Sequence, residues 1–249
     1  SIYGCLSRMT KTDSERIAKR LARAGLCSRR EGERWINEGR VMLDGKVLES
    51  PAVTVDVHSA IKVDGKLIPE PAEPRLWRYH KPAGLLTTHH DPQRRPTVFS
   101  SLPPQLPRII SIGRLDINSE GLLLLTNNGD LARHLELPKT GLVRRYRARV
   151  YGTVDVSKLE TLRTGINING TNYGPIFATL DHQLRSNAWL SLTLREGKNR
   201  EVRRVLNYLE LGVNRLIRVG YGPFQLGKLA PKALAEIPPR RIRKFVDGP

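Results

Sequence analysis

Residues 68–74 read IPEPAEP, and three prolines in seven positions exclude both a helix interior and a central strand there. Proline has no backbone donor and holds φ near one value. The stretch is a semi-rigid linker, so the chain before it and the chain after it must each bury their own apolar residues. The two sides are patterned differently. In the first, Ser14 is placed to cap a helix with Ile17, Leu21 and Ala24 on one face and Gly25 as its stop. Ser28 followed by Glu31 predicts a capping box for a second helix, RREGERWINEG, ending at Gly39. Next, RVMLDGKVL and IKVDGKL each place two short strands around an Asp-Gly pair, Asp44-Gly45 and Asp64-Gly65, the dipeptide that suits a type I′ hairpin. A helix pair followed by hairpins over residues 14–68 is too small for most enzymes and suits a binding module.

Beyond the linker (69–74), residues 75–245 read as strands separated by turns and single helices. RLWRYHKP alternates until Pro82 ends it; GLLLLT is a buried strand closed by the NNG turn, after which Asp130 is placed to cap a short helix, LARHLEL. VRRYRARVYG alternates strictly, which puts Arg145, Arg147 and Arg149 on one face and Tyr146, Ala148 and Val150 on the other. DVSKLETLRTG predicts a capped helix with a glycine stop, AWLSLTL a strand, NREVRRVLNYLEL a helix and NRLIRVGYGPF a further strand. Without regular βαβ alternation, the expected class is α+β, built on a mainly antiparallel mixed sheet with flanking helices.

Charge narrows the function. The chain has 42 Lys and Arg against 24 Asp and Glu, a net of +18; 29 and 14 of these lie in residues 71–249, leaving +15 there and +3 in the first 70. Such an excess is the footprint of a partner rich in phosphates, and both segments should face it. Two cysteines, Cys5 and Cys27, form no CxxC, which points to a reducing compartment. The six histidines show no metal-ligand spacing, and no phosphate loop, dinucleotide fingerprint or nucleophile elbow occurs. Neither a metal nor another cofactor is expected. An apolar run long enough for a membrane span and a signal core are both missing, so a cytoplasmic protein without membrane contact is expected, with Met9 as a candidate natural start.

One carboxylate stands out in the stretch ISIGRLDINSEGLLLLTNNGD. Asp116 lies between apolar approaches and beside Gly113 and Gly121, which would allow a ligand close to the backbone. A loop aspartate is ordinarily a turn or cap residue. A second motif, LREGKNREVRRVLN, sets Arg200, Arg203 and Arg204 at the start of a helix, where cations oppose the macrodipole; an anionic partner, phosphate or Asp116, would explain them.

These motifs together resemble a known family. KPAG (81–84), GRLD (113–116), LLLLTNNGD (122–130), RRYRARV (144–150), REGKNREVRR (195–204) and RLIRVGYGPF (215–224) follow the order seen in the RsuA/RluB family of RNA pseudouridine synthases. The N-terminal signature RLARAGLCSRREGERWINEGRVMLDGKVL is similar to the alpha-L RNA-binding module. The resemblance runs from about residue 14 to about 245, and DPQRRPTVFSSLP (91–103) is most like the RluB branch, which modifies large-subunit ribosomal RNA. It implies a cofactor-free, monomeric isomerase acting on ribosomal RNA or its assembly precursor. Asp116 would be the nucleophile, Arg203 its charge partner, Tyr146 the ring that stacks on a flipped base and Leu216 an apolar residue of the pocket floor. Arg16, Arg20, Arg29, Arg30, Lys81, Arg114, Arg145, Arg147, Asn199 and Arg200 are the expected RNA contacts. NNG for the usual Asn-Asp-Gly and EGKN for Glu-Gly-Arg-Asn depart mildly from the family pattern. Small-subunit RNA, transfer RNA, a non-catalytic RNA-binding role and a hydrolytic glycosylase are the alternatives.

Overall fold

The computed structural model describes residues 14–246; Cys5 and Met9 lie outside the described residues. The chain opens with a two-residue strand, β1 (Glu15–Arg16), followed directly by α1 (Ile17–Arg23). Ser14 does not cap this helix. Its N-cap is Arg16, which makes no side-chain cap bond, and the Ile17 amide donates to the Val53 carbonyl at 3.0 Å instead, because β1 pairs with a later strand. The second helix, α2 (Arg29–Asn37), is capped as expected: Ser28 Oγ accepts the Glu31 amide at 3.0 Å. Strands β2 (Val41–Leu43), β3 (Lys46–Val47), β4 (Thr54–Val55), β5 (Ile61–Val63) and β6 (Lys66–Leu67) follow, and β4 is the partner of β1. Asp44, Gly45, Asp64 and Gly65 all have positive φ, as type I′ turns require. The two hairpins join through β2 and β5 into one four-stranded sheet, β3-β2-β5-β6, whose inner side closes on Ile17, Leu21, Ile36 and Val41. The proline stretch is pinned to α1: Arg20 donates to the Pro69 carbonyl at 2.9 Å and the Ala72 amide to the Arg23 carbonyl at 3.0 Å.

The longer segment contains β7 (Leu76–Lys81), β8 (Ile110–Ile112), β9 (Glu120–Thr126), α3 (Gly129–Glu136), β10 (Arg144–Tyr151), α4 (Val156–Glu160), β11 (Ile166–Ile168) and β12 (Thr171–Tyr173). It continues with β13 (Ile176–Gln183), β14 (Asn187–Leu194), α5 (Glu201–Tyr208), β15 (Gly212–Tyr221), β16 (Phe224–Gln225), β17 (Leu234–Glu236) and α6 (Pro239–Val246). The cap of α3 is Asn128, whose Oδ1 accepts the Leu131 amide at 2.8 Å; Asp130 sits inside the first turn and pairs with Lys19 of α1 at 3.1 Å. The turn therefore begins two residues before the expected cap, and the freed carboxylate touches the N-terminal module.

Nine strands form the main sheet. Its order is β13-β14-β10-β15-β9-β7-β17, with β16 on β15 and β8 on β9; every pairing is antiparallel except that of β15 with β9. That parallel seam is short, with Ile217 opposite Glu120 and Arg218 opposite Gly121. Because side chains alternate along β9, Leu123 and Leu125 enter a cluster with Trp77, Tyr79 and Leu115, whereas Leu122 and Leu124 pack on the other side with residues of α3 and α6. A third cluster joins β10, β13 and β14 to α4 and α5 through residues such as Ala148, Leu190 and Val205. On the face bearing Leu123, Gly121 and Arg218, two of these clusters meet at the parallel seam, and a cleft opens there.

Candidate active site

Asp116 sits in the connection from β8 to β9. Its loop is held from beneath: Gly84 donates to the Ile117 carbonyl at 2.6 Å, Thr87 to the Leu115 carbonyl at 3.3 Å and the Ser119 amide to the Asp116 carbonyl at 2.9 Å. The main anchor is Lys81, whose ammonium donates to the carbonyls of Ser119 (2.7 Å), Pro82 (3.0 Å) and Ile117 (3.1 Å). Lys81 is 0% exposed, does not line the cleft and has its ammonium spent on these three carbonyls, so it does not contact a phosphate; this corrects the expectation from sequence. The seventh position of an alternating strand ending at proline falls inside the core, and only the three carbonyls make a cation tolerable there. Burial pushes its pKa down to about 8, against the pull of Glu120 and Asp116.

Across the seam, the connection from β14 into α5 brings two arginines to the carboxylate. Arg200 Nη1 is 3.2 Å from Asp116 Oδ2 and Arg203 Nε is 3.8 Å away. The closer partner is thus Arg200, not Arg203. Arg200 is the N-cap of α5 in a left-handed conformation (φ 54°), which turns its side chain over the cleft. Arg203, one turn on, is much more buried; it donates Nη2 to Ser119 Oγ at 3.1 Å, while its Nε makes no hydrogen bond. Burial, and then Arg200, lower the Arg203 pKa, with Asp116 opposing them. Asp116 itself remains 30% exposed at its side chain, so it is accessible from the cleft.

The cleft encloses about 690 Å³. Tyr146, Leu216, Arg114, Asn199, Arg200 and Arg203 all line it with Asp116. Arg145 and Arg147 do not. Strand alternation turns them to the opposite face of the sheet from Tyr146, where Arg147 stacks on Trp189 (4.7 Å) and Arg145 reaches only the Gly222 carbonyl, at 3.5 Å. In the N-terminal module Arg16, Arg29 and Arg30 are exposed, whereas Arg20 is occupied by the linker and its pKa is lowered by burial. Gly121 also differs from expectation: its neighbour is the β15 backbone at Arg218, not a ligand.

Sequence reasoning missed Ser119, Arg144, Glu201, Arg218 and Tyr221, all in the cleft wall. Two were within reach, because Arg144 lies two residues before Tyr146 and Arg218 two after Leu216, so period-two alternation puts them on the same face. Other carboxylates line the cleft as well, but backbone amides engage them: Glu136 accepts the Gly113 amide (2.7 Å), Glu196 the Gly174 amide (2.6 Å) and Glu201 the Lys198 amide (3.2 Å). Burial and the neighbouring Glu196 push Glu201 well above the usual carboxylate range. Asp116 is the one cleft carboxylate, among the described residues, that is ion-paired to arginines instead. No cluster of three His, Cys, Asp or Glu suited to a metal ion occurs among the described residues, and no described helix is long and apolar enough to cross a membrane.

Residues 75–208 match the RNA pseudouridylate synthase family, and residues 15–61 match the S4 domain. The chain belongs to the RNA pseudouridylate synthase family. It is of the RsuA/RluB type, an isomerase carrying an RNA-binding S4 domain. An uncharacterized RNA pseudouridine synthase of Rickettsia felis is 50% identical over 230 residues, covering 92% of this chain and 100% of that protein. The ribosomal large subunit pseudouridine synthase B of Salmonella typhi is 45% identical over 228 residues, 88% of this chain and 77% of that one. The counterpart of the same name from Yersinia pestis is 43% identical over 227 residues, 88% and 70%. A crystal structure of a pseudouridylate synthase shares the fold, with a TM-score of 0.65 and 24% identity over 92% of this chain and 99% of that one. For a pseudouridine synthase the cleft has a simple logic: one face of a nine-stranded sheet supplies the pocket, and the loop between β8 and β9 delivers a carboxylate to it.

Proposed function

We propose that this pseudouridine synthase isomerises a specific uridine of ribosomal RNA, of the large subunit, with Asp116 as nucleophile and the target base flipped into the cleft. The observation that carries the reading is the carboxylate of Asp116, accessible in the cleft and bracketed by Arg200 and Arg203. The reaction breaks the bond from the ribose C1′ to N1 of the base, turns the base and joins C5 to C1′; N1 gains a proton and C5 loses one. A glycosidase commonly uses two carboxyl groups because it must also activate water. Isomerisation needs one, in a pocket that keeps water from the sugar. A base lying over Asp116 would strip water from the carboxylate, and the two guanidiniums at 3.2 and 3.8 Å supply the opposite charge beside it.

In this reading Tyr146 stacks on the flipped base, Leu216 forms the apolar floor and Arg203 holds the Asp116 loop through Ser119. Unstacking the uridine costs a few kcal/mol, which contacts elsewhere must offset. Residues 14–68 act as the RNA-gripping module, with Arg16, Arg29 and Arg30 free to meet phosphates, while residues 75–245 carry the chemistry on a monomer. The large-subunit assignment is supported by the names of the Salmonella and Yersinia relatives.

Tritium release from ribosomal RNA labelled at C5 of uridine tests the proposal. Wild type should release tritium from a large-subunit fragment, and Asp116→Ala should lose at least about 10³-fold in turnover while RNA affinity changes by less than about threefold. Release that persists in Asp116→Ala would remove the nucleophile assignment. Free uracil among the products would indicate hydrolysis instead.

A further inference from the structure

Two arginines of this protein are buried without a carboxylate partner among the described residues. Several well-exposed arginines have carboxylate partners: Arg40 with Asp64 (2.8 Å), Arg75 with Glu236 (2.6 Å) and Arg215 with Glu120 (2.9 Å). Arg144 and Arg218 are 6% and 4% exposed, yet neither lies within 4.0 Å of a carboxylate among the described residues. Pairing is worth little at the surface and most in the interior, where an uncompensated charge costs several kcal/mol.

The two guanidiniums belong to one construction. They lie over the Tyr221 ring, Arg144 at 4.8 Å from its centroid and Arg218 at 5.1 Å. The ring is fixed because its hydroxyl accepts from Arg144 Nη2 (3.0 Å) and donates to the Leu135 carbonyl (2.8 Å). Arg144 Nη1 donates to the carbonyls of Leu142 (2.7 Å) and Arg195 (2.8 Å). Arg218 uses Nε on the Leu122 carbonyl (2.9 Å), and its Nη2 is buried without a partner. Carbonyl dipoles orient these cations without neutralising them. All three residues line the same cleft as Asp116, and Glu136, the carboxylate on this side, already accepts the Gly113 amide. A wall with two fixed cations, neither within 4.0 Å of a carboxylate among the described residues, and with both terminal nitrogens of Arg218 unpartnered, is built for an anion that arrives from outside.

We infer that Arg218, supported by Arg144 and Tyr221, forms an anion subsite of the cleft that holds a phosphodiester group of the bound RNA strand beside the reacting nucleotide. The inference rests on the reading of the cleft as the RNA-isomerising site and names a further substrate contact in it. Arg218 has a positional role too, since its Nε bond extends the two-residue seam between β15 and β9. The phosphate contact falls to the terminal nitrogens, led by Nη1, which is unpartnered and not sealed like Nη2, and phosphate, not a base carbonyl, is the ligand because the guanidinium has no carboxylate partner among the described residues.

The test is displacement of a labelled RNA fragment from the intact protein by uridine 5′-monophosphate and, separately, by uridine. Wild type should bind the monophosphate at least about ten-fold more tightly than the nucleoside, the equivalent of one charge-assisted hydrogen bond. In Arg218→Gln the two should converge, and Arg218→Lys should keep part of the difference. Equal affinities in wild type would overturn the inference without any variant. So would a difference undiminished in a folded Arg218→Gln protein, since the phosphate would then be held elsewhere, or an equal weakening of both ligands, which would make Arg218 a base contact. Because the measurement is of binding, it can be repeated in Asp116→Ala. A missing tritium release in wild type would count against the isomerase reading while leaving this comparison interpretable.

Discussion

Gly121→Ala should damage this protein far more than one methyl group suggests. Gly121 has φ +104°, and a Cβ built there would stand 2.8 Å from the Arg218 amide nitrogen and nearer still to its carbonyl oxygen. Both are backbone atoms of the neighbouring strand, so no side-chain rotation relieves the overlap. The strands must part by about 1 Å, an overpacking of about 1–3 kcal/mol, and alanine at this φ adds strain of about 1–3 kcal/mol. The sum, roughly 2–6 kcal/mol, is a large part of the stability of a typical domain. With a urea dependence of about 2–3 kcal/mol per molar, the unfolding midpoint should fall by roughly 0.7–3 M. Activity should suffer separately, because this seam sets Asp116 opposite Arg203, Leu216 and Tyr146. A 1 Å misplacement can lower turnover about 10²-fold. The assays are urea unfolding followed by tryptophan fluorescence and tritium release under conditions where the variant is folded. A midpoint within about 0.3 M of wild type together with turnover within twofold would refute the argument that the seam is backbone-tight.

Three further outcomes are expected. Lys81→Met should lower stability by about 2–4 kcal/mol by leaving three buried carbonyls without their donor, and it should alter pH dependence in a defined direction. The folded state releases the Lys81 proton near pH 8 and the unfolded state only near the ordinary lysine value, so this group makes wild type gain stability between those two pH values, and the variant should lack that gain in chemical unfolding. Glu201→Gln should become progressively more stable than wild type as pH rises from the ordinary carboxylate range towards neutral, because wild-type Glu201 keeps its proton in the fold up to about pH 8 whereas the unfolded chain releases it, so folding must take that proton back; a constant difference across that range would contradict this assignment of the proton. Substituting Arg29 and Arg30 together by Gln should weaken RNA binding and flatten the plot of log Kd against log salt by about 1–2, with turnover at saturating RNA unchanged.

Much of the fold was legible because it rests on local chemistry. The Ser28 cap, both Asp-Gly hairpins and the alternation of β10 depend on residues within a few positions of one another, and each appears as expected. The two cap assignments that failed, Ser14 and Asp130, did so where a distant carbonyl or a neighbouring asparagine met the helix amide first. The charge excess announced an anionic partner but not the function of each cation. Lys81, Arg144 and Arg218 look like surface residues in a basic chain and are buried; Arg145 and Arg147 flank Tyr146 and yet face away from it. Their alternation was visible, and its consequence for the cleft could have been drawn at once.

The sequence alone determined the two-segment plan, the class of fold and the set of motifs that mark the family, since these follow from periodicity, turn chemistry and proline placement. Tertiary structure decided which cation meets which anion. Asp116 and Arg200 are 84 positions apart and approach to 3.2 Å only because β9 and β15 run side by side through a two-residue parallel seam. Charge interactions depend on distance and burial, and the chain fixes neither until its strands have paired.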